Sequence, residues 1–213
     1  MKKILVLFLF LVTSANAADS PALKQKTVGL PDPALIAKVE NYLNSIKTMQ
    51  ADFGQVVQGS SVVSAGKFYL QRPGKFRWEY IKGQQVLIVS NGMQIAYYDR
   101  KLDELTYIPM QYGIAGFLAA EKIKLSGDIK LLRIEENETE IRAVVTQTKK
   151  PEEGMLALYF KKDPMILSYM EVVDQDKNLT VVAFKNQKIN QPIAKDLFVF
   201  KNPKFLKNVW DKK

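Results

Sequence analysis

The 213-residue chain contains no cysteine and no histidine. A Ser-His-Asp triad needs an imidazole and a cysteine nucleophile needs a thiol, so both forms of nucleophilic catalysis are excluded. Zinc and copper sites that depend on cysteine or histidine ligands are excluded for the same reason. Carboxylate chemistry, a lysine nucleophile and an oxygen-ligated metal ion remain open.

The chain also lacks an apolar run of transmembrane length, which would need about 20 residues. Lys2 and Lys3 precede a shorter apolar run, 4–12, and small residues follow over 14–18. This pattern predicts a signal peptide over residues 1–17, cleaved after Ala17, and a single exported domain over residues 18–213. Cleavage removes two lysines, so the charge of the domain is expected to be 9 − 2 = +7. In a bacterium, the periplasm is the expected compartment.

The composition is that of a globular protein with a strong positive charge. Hydrophobic residues make up 47% and charged residues 25% of the chain, and the net charge is +9. The charge indicates an acidic partner or a membrane surface without choosing between them. Basic residues are spread over most of the turns, and the chain is predicted to be exported. Nucleic acid is therefore not expected as a partner.

A single amphipathic helix is predicted near the start of the domain, over residues 33–47. Asp32 and Pro33 are typical of an N-cap and a first helical position. Leu35, Val39 and Leu43 follow at spacings of four residues, which places them on one face.

From Met49 onward the apolar residues recur with a period of two, which indicates β-strands. Pro73-Gly74 and Asn91-Gly92 are typical of tight turns between such strands. About eleven strands joined by consecutive hairpins predict a sandwich or a barrel. A further short strand is expected over residues 196–200. The strands after the first are predicted at 64–71, 76–81, 85–90, 93–99, 104–109, 129–136, 140–148, 155–161, 166–174 and 179–190.

One segment, residues 111–121, breaks the strand pattern. It predicts a short helix with Ile114, Phe117 and Leu118 on one side, and a second helical piece is expected to continue to Leu125. This helix is either a fixed plug at one end of a barrel or a movable lid with Gly113, Gly116 and Gly127 as its hinges. Both interpretations remain open.

Many strands are apolar on both faces, and the chain contains seven methionines. An incompletely closed barrel can leave an apolar cavity, and flexible methionines suit variable apolar guests. The alternative is a fully packed core beneath a covering helix.

The stretch from Ser64 to Tyr80 narrows these alternatives. It contains Arg72-Pro-Gly-Lys-Phe-Arg-Trp78 and resembles the signature of the periplasmic outer-membrane lipoprotein carrier family, LolA. The similarity continues through Val89-Ser-Asn-Gly and Tyr98-Asp99. It also includes Phe53-x-Gln55, residues 184–190 and residues 198–203.

The resemblance implies a mainly β (α+β) fold. The expected fold is an incomplete antiparallel barrel of about eleven strands, with an N-terminal helix and a short helical lid over a hydrophobic cavity. Members of the family take lipoproteins from an inner-membrane ABC transporter and shield their acyl chains. They deliver them to an outer-membrane receptor lipoprotein. A monomer without enzymatic activity, cofactor or metal is expected. The alternative is a periplasmic module of the same fold that binds another lipid or glycolipid, or senses envelope stress.

The resemblance also implies the site residues. Arg72 is expected to be the latch that holds the lid closed. The hydrophobic cavity that binds acyl chains is expected to involve Phe53, Tyr69, Leu70, Phe76, Trp78, Met93, Ile114, Phe117, Leu118, Leu158, Phe160 and Met170.

Overall fold

The computed structural model of the chain describes residues 32–109 and 115–201. Within these ranges it contains two α-helices, two short 3₁₀ helices at Pro151–Glu153 and Lys195–Phe198, and eleven strands. The helices are α1 Pro33–Ser45 and α2 Ala115–Ala119. The strands are β1 Thr48–Val57, β2 Val63–Gln71, β3 Lys75–Lys82, β4 Val86–Asn91, β5 Gln94–Asp99, β6 Glu104–Pro109, β7 Ile129–Glu136, β8 Glu140–Gln147, β9 Gly154–Lys162, β10 Met165–Asp174 and β11 Leu179–Ile189.

All eleven strands belong to one antiparallel sheet. Its order is β6-β5-β4-β3-β2-β1-β11-β10-β9-β8-β7, so consecutive hairpins form two halves that meet where β1 pairs with β11. β6 and β7 are the two edges, and the described strands leave the sheet open between them. The prediction of a mainly β, incompletely closed antiparallel sheet with an N-terminal helix is confirmed.

Helix α1 packs its apolar face against the inner side of the sheet. The side chain of Asp32 accepts a hydrogen bond from the backbone N–H of Ala34 at 2.9 Å, which caps the first turn. Leu35, Val39 and Leu43 are buried. The helix ends two residues before the predicted boundary, because Ile46 adopts an extended backbone that leads the chain into β1 while its side chain stays buried.

The strands next to α1 alternate regularly between a buried inner face and a more exposed outer face. On β1 the buried positions are Met49, Ala51, Phe53, Gln55 and Val57. The same alternation on β2 and β3 places large aromatic side chains opposite those of β1. The first three strands therefore form one continuous aromatic wall.

Gly66 on β2 makes room for this wall, because it lies directly across from Phe53 on β1 and Tyr80 on β3. A Cβ atom at this position would lie 2.0 Å from the carbonyl oxygen of Glu79 and 2.8 Å from the Phe53 ring.

Since the backbone would have to move, Gly66→Ala is expected to destabilise the protein by about 1–3 kcal/mol. Urea unfolding measures this loss. Gly54→Ala is the matched control, because an added Cβ there meets no atom within 4 Å. Equal unfolding midpoints for the two variants would contradict this account of Gly66.

The predicted strand over 196–200 is wrong. Residues Lys195–Phe198 form a 3₁₀ helix, in which the N–H of Leu197 donates to Ala194 and that of Val199 donates to Asp196. These local backbone hydrogen bonds replace those of a strand ladder. Nη1 of Arg77 donates to the carbonyl of Leu197 at 3.3 Å, which holds the turn against the outer face of β3.

Within the described ranges, no helix is long and apolar enough to cross a membrane.

Candidate functional site

An apolar cavity lies between the inner face of the sheet and helix α2. Its empty space is about 630 Å³, a figure that includes its opening to solvent. Ten of its twelve lining residues are apolar, and the two polar ones are Gln55 and Thr180. Leu118 and Ala119 of α2 form part of the lining, so the helix occupies space at one end of the cavity. The lining suits an uncharged apolar ligand.

A second apolar space lies next to the first, towards α1, and its empty volume of about 280 Å³ also includes its opening to solvent. Leu43 and Ile46 line it, and it shares Phe68, Leu70 and Leu118 with the main cavity. The side chain of Leu118 therefore lies at the boundary between the two spaces.

The C-terminal end of α2 is held by two hydrogen bonds from the turn between β2 and β3. The backbone N–H of Gly74 donates to the carbonyl of Ala119 at 2.7 Å, and Nη1 of Arg72 donates to the carbonyl of Ala120 at 2.6 Å. Nε of Arg72 also donates to the carbonyl of Ile46 at 2.8 Å. One guanidinium thus links the end of α1 to the end of α2.

Arg72 is well suited to this contact because it stays charged at neutral pH. Burial lowers the pKa of its guanidinium to about 10, which is still far above 7. Its donors meet backbone carbonyl oxygens. Two donors on one planar group fix the orientation of the side chain as well as its position.

The turn that carries Arg72 is itself fixed by the neighbouring hairpin. Gly74 has a φ of 73°, and its carbonyl accepts a hydrogen bond from the buried hydroxyl of Ser90 at 2.7 Å. A Cβ atom on Gly74 would lie 2.9 Å from the Cα of Gly92 in the turn after β4. The close packing of these two glycine turns gives α2 a firm base.

The predicted second helical piece, ending at Leu125, is wrong, because the chain after α2 is irregular and is hydrogen-bonded to side chains of α1. The N–H of Ile123 donates to Oδ1 of Asn44 at 2.8 Å, and Nδ2 of Asn44 donates to the carbonyl of Ile123 at 2.9 Å. The N–H of Leu125 donates to Oε1 of Glu40 at 2.7 Å. These side chains provide the hydrogen-bond partners that a helix would provide internally.

The sequence-predicted cavity residues fall into three groups in the structure. Phe117 belongs to α2 and is buried, next to the lining residue Leu118. Residues buried in the core away from the open space are Phe53, Leu158 and Phe160. Residues that line the main cavity are Leu70, Phe76, Trp78, Leu118 and Met170.

Two of the predicted cavity residues are elsewhere, and these predictions are corrected. Tyr69 alternates with the buried Phe68 and Leu70 and therefore lies on the outer face of β2, half-buried and opposite Arg77. Met93 lies in the tight turn before β5 with 79% of its surface exposed, because a two-residue turn projects its side chains away from the sheet.

Some predictions concern residues outside the described ranges. The signal peptide over 1–17 and the proposed hinge at Gly113 are among them, as is Ile114. These stay predictions.

Sequence reasoning missed Phe68, Val182 and Gln55 as lining residues. Phe68 could have been found, because it has the same strand parity as Leu70, and Leu70 lies directly across from Phe76. Gln55 has the same strand parity as Phe53, but a glutamine in an alternating strand normally indicates the solvent-facing side, so its two signals conflict.

Comparison with known proteins agrees with this geometry. The profile of the family described as "Outer membrane lipoprotein carrier protein LolA" matches residues 44–201. The chain belongs to the LolA family. A LolA-family relative named outer-membrane lipoprotein carrier protein, from Methylococcus capsulatus, is 32% identical over 176 residues, covering 78% of this chain and 83% of that protein. Another with the same name, from Methylobacillus flagellatus, is 33% identical over 179 residues, covering 79% and 85%.

A solved structure of a LolA superfamily protein from Nitrosomonas europaea also aligns with the chain. It covers 78% of this chain and 97% of that one, with 9% identity and a TM-score of 0.45. Similarity at this level adds nothing to the family assignment.

Proposed function

We propose that this LolA-family chain is a periplasmic carrier that shields the acyl chains of lipoproteins and delivers them to the outer membrane. The observation that supports this most is the apolar cavity beneath α2, whose end is held by Arg72 and Gly74. The signal peptide over 1–17 would direct the domain over 18–213 to the periplasm, where it acts as a monomer. The carrier performs no chemical step, so its function requires only binding and release.

A carrier must release its cargo, so its affinity for acyl chains has to be lower than full burial of the chains would give. Burying an acyl chain of about 15 methylenes at about 0.8 kcal/mol each gives roughly 12 kcal/mol. Two fully buried chains would exceed the practical affinity ceiling of about 20 kcal/mol, and the carrier would not release them. A lid that fills part of the cavity when closed offsets this gain. Leu118 and Ala119 occupy that position.

The direction of transport follows from the same balance. Loading must open the lid, and we propose that an inner-membrane ABC transporter supplies the energy from ATP. Unloading requires an acceptor that binds acyl chains more tightly, and we propose a receptor lipoprotein in the outer membrane for this role. Neither step needs a nucleophile or an ionisable catalytic group on the carrier.

Acyl binding in the cavity can be tested through Trp78, which lines it. The chain has two tryptophans, so Trp210→Phe leaves Trp78 as the single reporter. A phospholipid with a brominated acyl chain is expected to quench its fluorescence, because bromine quenches tryptophan on contact. The matched control is a phospholipid of the same chain length without bromine, which is expected to leave the fluorescence of Trp78 unquenched. If the brominated lipid leaves Trp78 unquenched, the cavity does not take acyl chains.

A further inference from the structure

The cavity contains a buried polar group with an unsatisfied donor. The side chain of Gln55 is 2% exposed and lines the main cavity. Its Oε1 accepts a hydrogen bond from the hydroxyl of Tyr80 at 2.6 Å. Its Nε2 is buried and has no hydrogen-bond partner among the described residues. Buried amide donors are normally paired, so this donor is available to an acceptor that enters the cavity.

The unpaired donor lies at the end of the cavity away from the lid. Thr48, at the start of β1, is opposite Gln71, beside the latch residue Arg72. Gln55 is seven residues farther along β1, about 23 Å at about 3.3 Å per residue. The second polar lining residue, Thr180, is at the same end, because it shares the inner face of β11 with Val182 and Val182 is directly across from Gln55. Both polar residues of the lining therefore lie at the end of the cavity away from the lid, among apolar neighbours such as Val172 and Val182.

The surroundings restrict the acceptor to an uncharged group. None of the residues that line the main cavity is charged, and an ion placed there would lose its hydration without gaining a partner. The uncharged oxygen acceptors that an acyl chain carries are the carbonyls of its ester or amide linkage.

We propose that Gln55 forms a polar subsite that binds the ester or amide carbonyl at the head of an acyl chain. The inference rests on the proposed carrier function and adds an orientation to it. The carbonyl lies near Gln55 and Thr180, and the hydrocarbon extends past Trp78 towards Leu118 beneath the lid.

Tyr80 is the positioning residue of this subsite. Its hydroxyl donates to Oε1 of Gln55, so the amide is turned with its NH₂ group towards the cavity. Burial raises the pKa of the Tyr80 hydroxyl, which therefore remains a donor at any physiological pH. Tyr80 is 1% exposed and does not line the cavity itself.

The test compares two competitors of equal chain length, a fatty acid methyl ester and an alkane, for displacement of a brominated acyl probe from Trp78. The wild-type cavity is expected to prefer the ester. Gln55→Met keeps the length of the side chain and removes its donor. The ratio of ester affinity to alkane affinity is expected to fall about tenfold, which corresponds to about 1.4 kcal/mol. Tyr80→Phe is expected to lower the same ratio by a smaller factor, because it releases the amide without removing it.

The control is Gln50→Met, which removes a glutamine from the outer face of the same strand and is expected to keep the wild-type ratio. An N-methyl fatty amide as third competitor distinguishes amide from ester recognition. If both competitors bind and Gln55→Met keeps the wild-type ratio, the subsite is refuted while the carrier function stands. If neither competitor displaces the probe from the wild type, the carrier function itself is refuted, and the subsite with it.

Discussion

Arg72→Leu is expected to open the lid and to make the protein retain acyl cargo. Leucine keeps part of the aliphatic stem but cannot donate to the carbonyls of Ala120 and Ile46. A hydrogen bond from a charged donor contributes about 1.5–3 kcal/mol. Because the closed lid competes with cargo for the cavity, losing the bond to the lid is expected to raise cargo affinity about 10- to 150-fold. The dissociation rate of a brominated lipid into acceptor vesicles, followed through Trp78, measures this effect.

Two further substitutions distinguish the loss of the hydrogen bonds made by Arg72 from the loss of a positive charge as such. Arg100→Leu removes the same charge from the outer side of the sheet, where the side chain contacts Glu79 and the carbonyl of Tyr80, and is expected to leave cargo release at the wild-type rate. Arg72→Lys keeps the charge but not the planar pair of donors, so intermediate retention is expected. If Arg72→Leu releases lipid as readily as the wild type, the guanidinium does not hold the lid.

Phe53→Ala is expected to produce a large loss of stability, about 3–5 kcal/mol. The Phe53 ring is 3% exposed and makes edge contacts with Trp78 at 4.9 Å and Tyr80 at 5.0 Å between ring centroids. Removing it leaves a cavity in the most densely aromatic part of the core. The free energy of unfolding in urea measures the loss.

The control for this substitution is Val63→Ala on β2. Val63 is 53% exposed, so the change is expected to stay within about 0.5 kcal/mol of the wild type. Equal stability of Phe53→Ala and the wild type would show that the aromatic wall is not part of the structural core. The wall also supports the cavity, because Trp78 contacts Phe53 on one side and lines the empty space on the other.

The fold could be predicted from the sequence because its signals are local. Strands of period two separated by Pro73-Gly74 and Asn91-Gly92 define the hairpins, and Asp32-Pro33 defines the start of α1. The pairing of β1 with β11 joins the first and the last of the described strands, which are far apart in the sequence, so no local sequence signal indicates it. The incompletely closed sheet was therefore expected only through the family resemblance.

The candidate site was harder to predict, because its residues depend on which face of each strand points inward. The alternation along β2 separates its side chains into two faces, one that contains Leu70 and one that contains Tyr69. No local sequence feature shows which of the two faces points into the cavity. Met93 was predicted as a cavity residue because methionine suits an apolar cavity. It lies in a turn, where its side chain has no apolar neighbours to pack against and is exposed to solvent. The segment ending at Leu125 has the composition of a helix, but the side chains of Glu40 and Asn44 take over its backbone hydrogen bonds.

Gln55 is a polar residue on the buried face of β1, where sequence alone predicts an apolar side chain. Alternation places it on the same face as Phe53 and Val57, while its amide is typical of the outer face. A sequence that breaks a local rule at a buried position commonly does so at a functional site.

The central claim is that this protein carries acylated lipoproteins through water, and lipoprotein release from spheroplasts tests it most directly. Purified protein is added to spheroplasts that are synthesising outer-membrane lipoproteins, and the soluble fraction is examined by native mass spectrometry. The account predicts a soluble complex of one carrier with one fully acylated lipoprotein. Soluble carrier without lipoprotein, with all acylated lipoprotein left in the membrane, would contradict it.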